Sequence, residues 1–179
     1  LGISNSDHIV VYDNSDVFSS CRVWYTFLYF GHDSKLISVL DGGFKKWINE
    51  KRPTSNNLVN IEKSKYIAKE NVSLVINKDQ VNKNIDSKKF QLIDARGEQR
   101  FLGLQPEPRK ELKSGNIKGS TNLPFQKLLR EDRTFKKKEE LIDIFKSKKI
   151  SIEKEMAFTC GSGVTACILG LANSIISGN

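Results

Sequence analysis

Short apolar runs alternate along the chain with longer segments in which apolar residues recur at helical spacing. The first two apolar runs, at 8–12 and 36–40, contain several β-branched side chains and predict buried strands. Each run is followed by a segment that predicts a helix, at 17–31 and at 44–49, and an Asp-Gly-Gly turn at 41–43 precedes the second helix. The order strand, helix, strand, helix favours an α/β fold in which helices flank a parallel sheet.

The interval at 51–72 breaks this alternation. It contains Pro53 and a polar cluster and shows little periodicity, so we expect an interdomain linker there, bounded at 56–71. The elements predicted after it are an apolar run at 72–75, a helix at 78–84, a strand at 90–93, a long loop at 97–123, a helix at 136–148, a strand at 156–158 and a helix at 164–176. We therefore expect a first domain at 1–55 and a second domain at 72–179.

Two segments, at 8–24 and 155–170, share one plan of strand, polar turn and apolar helix. When their strand ends are aligned, Asp13 falls where Cys160 stands. This faint internal repeat indicates two copies of one fold, of which one carries a reactive centre.

The chain carries a net charge of +8, which raises the question of nucleic-acid binding. Residues 51–90 hold nine Lys and Arg against four Asp and Glu, but no regularly placed aromatic residues accompany them. We therefore expect a lysine-rich solvated surface and no nucleic-acid partner. The positive field would still favour small anionic substrates.

Three cysteines, Cys21, Cys160 and Cys167, form an odd count without the paired spacing of a zinc site. No apolar run is long enough to cross a bilayer, and no secretory signal is recognisable. We therefore expect a reducing, cytoplasmic location away from membranes, and neither a metal nor another cofactor.

The sequence FTCGSGVTAC at 158–167 places Cys160 at the end of a predicted strand. Ligands of open α/β sheets bind at the carboxyl ends of strands. The glycines that follow allow backbone N–H groups to turn inward, and the helix predicted from Val164 presents its positive end. A cysteine pKa of about 8.5 can fall by roughly a unit or more in such a setting, which predicts a nucleophilic thiolate. The alternative is a buried strand-end cysteine, and we expect packing roles of that kind for Cys21 and Cys167.

Other chemistries of similar loops are excluded by residue type. No lysine follows the glycines, as a phosphate-binding P-loop requires. Ala166 stands where a cysteine-dependent phosphatase would need an arginine, and no histidine follows His32 to serve as the base of a papain-like protease.

At this level of detail the chain resembles a known family. CGSGVTAC (160–167) is similar to the active-site loop of the 3-mercaptopyruvate sulfurtransferases of the tandem-rhodanese family. RVWYTFLYFGHD (22–33) and VLDGGFKKW (39–47) resemble the first domain of that family, and QLIDARGEQRFLGLQPEPRKELKSGNIKGSTNLPF (91–125) resembles the second. The resemblance implies tandem rhodanese-like domains, each a parallel sheet flanked by helices, with a partial, non-catalytic first domain and a catalytic second domain that is incomplete at its C-terminus.

The resemblance also implies a reaction and a set of site residues. The family's loop cysteine, here Cys160, takes sulfur from mercaptopyruvate as a persulfide and passes it to a thiol, to thioredoxin or to cyanide. Ser162 matches a loop serine that can hydrogen-bond the substrate or assist proton movement, and Arg100 and Arg109 match the arginines that bind the substrate carboxylate. The remaining loop positions expected to contact substrate are Gly161, Gly163, Val164 and Thr165.

Two alternatives of the same fold stay open. Thiosulfate-specific relatives carry basic residues after the cysteine, whereas Gly161, Ser162 and Gly163 are neutral here, so mercaptopyruvate is the favoured donor over thiosulfate. A non-catalytic sulfur carrier or interaction module would instead form the persulfide but show negligible turnover with small donors.

Overall fold

The computed structural model describes residues 2–109 and 111–178 and contains two parallel sheets. The first half consists of β1 (Ile9–Val11), α1 (Ser19–Tyr29), β2 (Ile37–Val39) and α2 (Gly43–Asn49). The second half consists of α3 (Lys78–Ser87), β3 (Gln91–Asp94), α4 (Glu98–Phe101), β4 (Thr121–Asn122), α5 (Lys138–Ser147), β5 (Met156–Thr159) and α6 (Ala166–Ser177). Short 3-10 helices lie at Ser34–Leu36, Val72–Leu74 and Phe125–Leu128. Every strand and helix predicted from the sequence is present in the predicted order, and α4 and β4 are additional.

Every strand pair in the two sheets is parallel. In the first sheet Ile9 pairs with Ile37, and the second sheet has the order β4-β3-β5. The central strand β3 is buried at Leu92, Ile93 and Asp94, as expected for a strand with neighbours on both sides and helices on its faces. The carboxyl ends of β3, β4 and β5 consequently meet at one edge of this sheet.

The core of the second half is built on α6 and α5. Six residues of α6 are buried, and Leu141 and Phe145, one helical turn apart on α5, are fully buried against the same cluster. From the first half, α1 packs against α6 and contributes Cys21, which is completely buried in that cluster. This packing holds the helix that follows Cys160 from both sides.

Several predicted boundaries are corrected by turn geometry that periodicity does not reveal. The helix predicted from residue 17 begins at Ser19, because Phe18 adopts a left-handed conformation with φ 49°. The helix predicted from Val164 begins at Ala166, because Gly163 has φ 78° and the next two residues form a turn. The prediction of one uninterrupted loop at 97–123 is wrong, because it contains α4 and β4, which are too short to show a hydrophobic period.

The segment predicted as a linker contains no helix or strand between residues 53 and 71. It is nevertheless anchored to the first half, since the Asn5 side chain exchanges hydrogen bonds with both backbone groups of Ile67, at 2.8 and 2.9 Å. The Tyr66 hydroxyl also lies 3.3 Å from Nδ1 of His32. The domain boundaries proposed around this segment stay a prediction. No helix within 2–109 or 111–178 has the length and apolar character needed to cross a membrane.

Candidate active site

Cys160 directly follows β5, at the sheet edge where the strand ends meet. Thr159 pairs with Asp94 at the end of β3, and the N–H of Ala95 donates to the carbonyl of Thr159 at 2.9 Å. These contacts fix the position of the backbone immediately before Cys160. The thiol is half-buried, so it is shielded from bulk water but remains reachable.

The loop after Cys160 folds back around its sulfur. The N–H of Gly163 donates to Cys160 Sγ at 3.1 Å. Burial raises the pKa of the Cys160 thiol, but hydrogen bonds from the Thr165 side chain and from the backbone amides of Ser162, Ala166 and Gly163 outweigh it. The pKa of Cys160 therefore lies below its ordinary value, and the loop stabilises the thiolate. The positive φ of Gly163 explains why glycine suits this position.

The other two cysteines lie in a different environment. Burial raises the pKa of Cys21 to about 12 and that of Cys167 to about 11. The Cys167 thiol donates to the carbonyl of Gly163 at 3.1 Å. Both side chains are buried in the core, as predicted, and all three cysteines are free thiols. The acidic thiol is therefore that of Cys160.

Arg100 on α4 lies beside the cysteine loop. A Cβ atom added at Gly161 would lie only 2.8 Å from Arg100 Nη2, so the absence of a side chain at Gly161 permits the guanidinium to approach. The structure thus brings Arg100 and the loop of Cys160 together, as the resemblance implied.

A buried carboxylate that sequence analysis did not single out holds Arg100 in place. Glu107 forms ion pairs with Arg100 Nη2 at 2.5 Å and with Arg96 Nη1 at 2.6 Å, and its side chain is only 1% exposed. Hydrogen bonds from Arg100, with support from Arg96, hold the pKa of Glu107 below its ordinary value despite desolvation. Arg96 is also paired with Asp94, at 2.7 Å. The only sequence signal for Glu107 is its place between two prolines, which does not reveal burial.

The side chains of three further predicted residues have no contact with the sulfur that the structure identifies among residues 2–109 and 111–178. Ser162 and Arg109 are exposed, and neither side chain forms a hydrogen bond or ion pair among residues 2–109 and 111–178. Val164 is half-buried in the turn before α6. The roles predicted for these three side chains stay predictions.

The first half also reaches the loop, through Arg22 of α1. Arg22 Nη1 donates to the carbonyl of Gly163 at 3.4 Å. Beside it lies a cavity of about 740 Å³ between α1, β5 and α6, lined in part by Gly163 and Cys167 but not by Cys160. The cavity therefore meets the loop at Gly163, and Arg100, like Cys160, does not line it.

Comparison with known proteins places this geometry in context. A family model described as "Rhodanese-like domain" matches residues 1–50 and 77–175. The chain is 42% identical over 169 residues to a 3-mercaptopyruvate sulfurtransferase of Mus musculus, covering 93% of this chain and 56% of the relative. It is 45% identical over 175 residues to a thiosulfate sulfurtransferase of Bos taurus, covering 96% of this chain and 58% of the relative. The chain thus spans a little over half the length of these relatives.

Solved structures give the same result. The structure matches that of SseA from Escherichia coli, a 3-mercaptopyruvate sulfotransferase with a "rhodanese" fold, with a TM-score of 0.85 and 31% identity, covering 98% of this chain and 64% of the other. The Tum1 protein from Saccharomyces cerevisiae matches with a TM-score of 0.83 and 27% identity, covering 99% and 63%. The predicted α/β fold with parallel sheets and flanking helices is confirmed, and the two matched segments fit the tandem arrangement.

Proposed function

This chain belongs to the rhodanese-like domain family, and on that premise we propose that the protein is a sulfurtransferase. It moves sulfane sulfur from 3-mercaptopyruvate to a thiol, to thioredoxin or to cyanide through a persulfide on Cys160. The observation that carries this proposal is the half-buried Cys160 thiol surrounded by hydrogen-bond donors that lower its pKa. A cytoplasmic location stays a prediction.

The first step forms a persulfide. The Cys160 thiolate attacks the sulfur of mercaptopyruvate, an S–S bond forms, and the C–S bond of the donor breaks. The electron pair of that bond passes to the departing enolate, which takes up a proton to become pyruvate. No external oxidant or reductant is required, because the methylene carbon of the donor takes up the two electrons that the two sulfur atoms lose when the S–S bond forms.

The second step returns Cys160 to its starting state. A thiolate or cyanide attacks the outer sulfur of the persulfide, and the S–S bond breaks with its electron pair left on Cys160. The amides of Ser162, Gly163 and Ala166 stabilise the cysteine sulfur when its charge returns. Removing one such preorganised donor from an enzyme site typically costs about 3 kcal/mol of transition-state stabilisation.

Substrate recognition is assigned to the arginines and the loop. Arg100 binds the donor carboxylate, since its guanidinium lies next to Gly161 and can donate parallel hydrogen bonds to a planar anion. Arg109 provides a second carboxylate contact, and the exposed hydroxyl of Ser162 hydrogen-bonds the substrate or assists proton movement. Gly161, Gly163, Val164 and Thr165 complete the surface that the substrate meets.

Thiosulfate is the second candidate donor. The relative named thiosulfate sulfurtransferase is as similar to this chain as the mercaptopyruvate relative is. The neutral residues after Cys160 support the singly charged mercaptopyruvate instead, because a dianion would benefit from a cation at this position.

Replacing the proposed nucleophile tests the function. We expect Cys160→Ser to abolish formation of sulfide or thiocyanate from both donors while the protein stays folded, because a serine hydroxyl cannot carry the sulfur. Mass spectrometry of the wild-type protein after exposure to donor should show one added sulfur atom on the peptide that contains Cys160. Cys167→Ser is the matched control and should retain turnover. Turnover at the wild-type rate in Cys160→Ser would refute the assignment.

A further inference from the structure

We infer that Glu107 is a positioning residue, which aims the Arg100 guanidinium at the substrate and keeps the site selective for a singly charged carboxylate donor. This inference rests on the proposed function and deepens it. Glu107 acts through Arg100, and it is assigned no contact with the reacting sulfur.

Glu107 binds one particular edge of Arg100. Its Oε1 accepts a hydrogen bond from Arg100 Nε at 3.2 Å, and its Oε2 accepts one from Arg100 Nη2 at 2.5 Å. This two-point contact occupies the edge of the guanidinium that carries Nε. The edge formed by the two terminal nitrogens retains N–H donors that can bind a second carboxylate.

Glu107 is itself held by a fixed brace. Arg96 Nη1 donates to Glu107 Oε1 at 2.6 Å, and Arg96 Nη2 donates to Asp94 and to the carbonyl of Gly115, both at 2.7 Å. Asp94 ends the central strand β3 and is almost completely buried. The orientation of Arg100 is therefore set from the sheet through Asp94, Arg96 and Glu107.

Burial distinguishes the two arginines. The Arg96 side chain is 10% exposed, whereas the Arg100 side chain is 29% exposed. Gly161 adjoins the Arg100 Nη2 that Glu107 binds, so the partly exposed guanidinium is held next to the cysteine loop. Arg100 is thus the member of the network that is available to a substrate.

The network contributes no net charge to the site. Asp94 and Glu107 carry two negative charges, and Arg96 and Arg100 carry two positive charges, so the four side chains together are neutral. A carboxylate such as that of mercaptopyruvate gains directed hydrogen bonds from Arg100 without needing a strong field. A dianion such as thiosulfate would gain more from an unbalanced positive charge.

Holding the loop of residues 102–109 in place would not by itself require buried ion pairs. Replacing a buried ion pair by well-packed apolar residues often leaves stability unchanged or increases it. What apolar residues cannot supply is a guanidinium held at a fixed angle, and misplacing a binding group by about 1 Å can cost roughly 100-fold in rate.

The test uses the full-length protein with two substitutions at Glu107. Glu107→Gln keeps the shape but removes the charge, and Glu107→Asp keeps the charge but is too short to reach both arginines. We expect kcat/KM for mercaptopyruvate to fall at least roughly tenfold in both variants, mainly through KM, because Arg100 is no longer aligned. For thiosulfate we expect a smaller fall, or a rise with Glu107→Gln, whose site carries an additional net positive charge.

Glu98→Gln is the matched control, because Glu98 is an exposed acid on the same helix as Arg100 and should leave both donors unaffected. Equal losses for the two donors would overturn the inference, and so would unchanged kinetics or failure of both Glu107 variants to fold. If the wild-type protein transfers sulfur from neither donor, the proposed function fails. If it does so and the donor ratio stays constant in the variants, only the role of Glu107 fails.

Discussion

The acidity of Cys160 comes from a balance between burial, which raises the pKa of the thiol, and hydrogen bonds that lower it. The Thr165 side chain is the largest of the lowering contributions, followed by three backbone amides. The Thr165 hydroxyl should therefore have a measurable effect on the pKa of the Cys160 thiol and on its reactivity.

Thr165→Val should move the pH dependence of Cys160 alkylation to higher pH. The thiolate is present above the pKa of the folded protein and is lost as the pH falls through it, so removing a stabilising donor raises that midpoint. A hydrogen bond to a charged group contributes about 1.5–3 kcal/mol, so the alkylation rate at neutral pH should fall by roughly tenfold or more. Iodoacetamide labelling followed by mass spectrometry measures this rate. Thr159→Val, a substitution of the same shape on β5, should leave the midpoint in place, and an unchanged midpoint in Thr165→Val would contradict the assigned contact.

At the scale of the structural element, the turn between β5 and α6 depends on one glycine. Gly163 has φ 78°, and a Cβ atom there would lie 2.5 Å from Arg22 Nη1. A residue with a side chain would strain the turn and displace the guanidinium together with the amide that binds Cys160.

Gly163→Ala should lower the free energy of unfolding by roughly 1–2 kcal/mol, the cost of a left-handed conformation for a residue with a Cβ atom. Turnover should fall as well, because the N–H of Gly163 would no longer point at the sulfur. Urea denaturation and steady-state kinetics measure the two effects. Gly97→Ala provides the comparison, since a Cβ atom there meets no atom within 4 Å, and it should change stability by less than about 0.5 kcal/mol. A fully active and stable Gly163→Ala variant would show that this geometry is not required.

These elements also show what sequence can and cannot predict. The loop of Cys160 was predictable, because its strand, glycines and helix are consecutive in the chain. Glu107 was not, because its burial arises only when the loop of residues 102–109 folds against the end of β3. Arg22 was missed for a similar reason: helical periodicity identifies the apolar face of α1, but it does not show which distant loop a polar residue on that helix meets. Helix α1 begins at Ser19, later than predicted, because Phe18 adopts a left-handed conformation that the hydrophobic pattern does not reveal.

At the scale of the whole molecule, a loop of the second half is fastened to the first half by charged side chains. Arg133 donates to Asp16 at 2.8 Å and to the carbonyl of Ser15, and its guanidinium lies 4.5 Å from the ring centroid of Phe18. Lys46 adds an ion pair with Asp132 at 2.8 Å. Arg133 is mostly buried although Asp16 is exposed, so its hydrogen bond to the carbonyl of Ser15 is the contact that water screens less than it screens an exposed pair.

Arg133→Ala should therefore destabilise the protein by about 1.5–3 kcal/mol, the usual contribution of hydrogen bonds from a charged donor. Chemical denaturation of the purified protein measures the change. Lys45→Ala is the control, since Lys45 pairs with the same Asp16 but both side chains are exposed, and surface pairs of this kind contribute at most about 1 kcal/mol. Equal effects of the two substitutions would mean that Arg133 contributes no more than a surface charge.

Gly163 forms hydrogen bonds through both of its backbone groups, which belong to two successive peptide units. Its N–H faces Cys160, while its carbonyl accepts hydrogen bonds from Cys167 in the core and from Arg22 of the first half. Donors at the carbonyl therefore act on the N–H by fixing the position of the Gly163 backbone, since the two groups are separated by the Cα atom. The amide that donates to the Cys160 sulfur is thus held in place by side chains of α6 and α1, and a substitution on a helix of the first half can change the environment of the sulfur while the loop sequence stays the same.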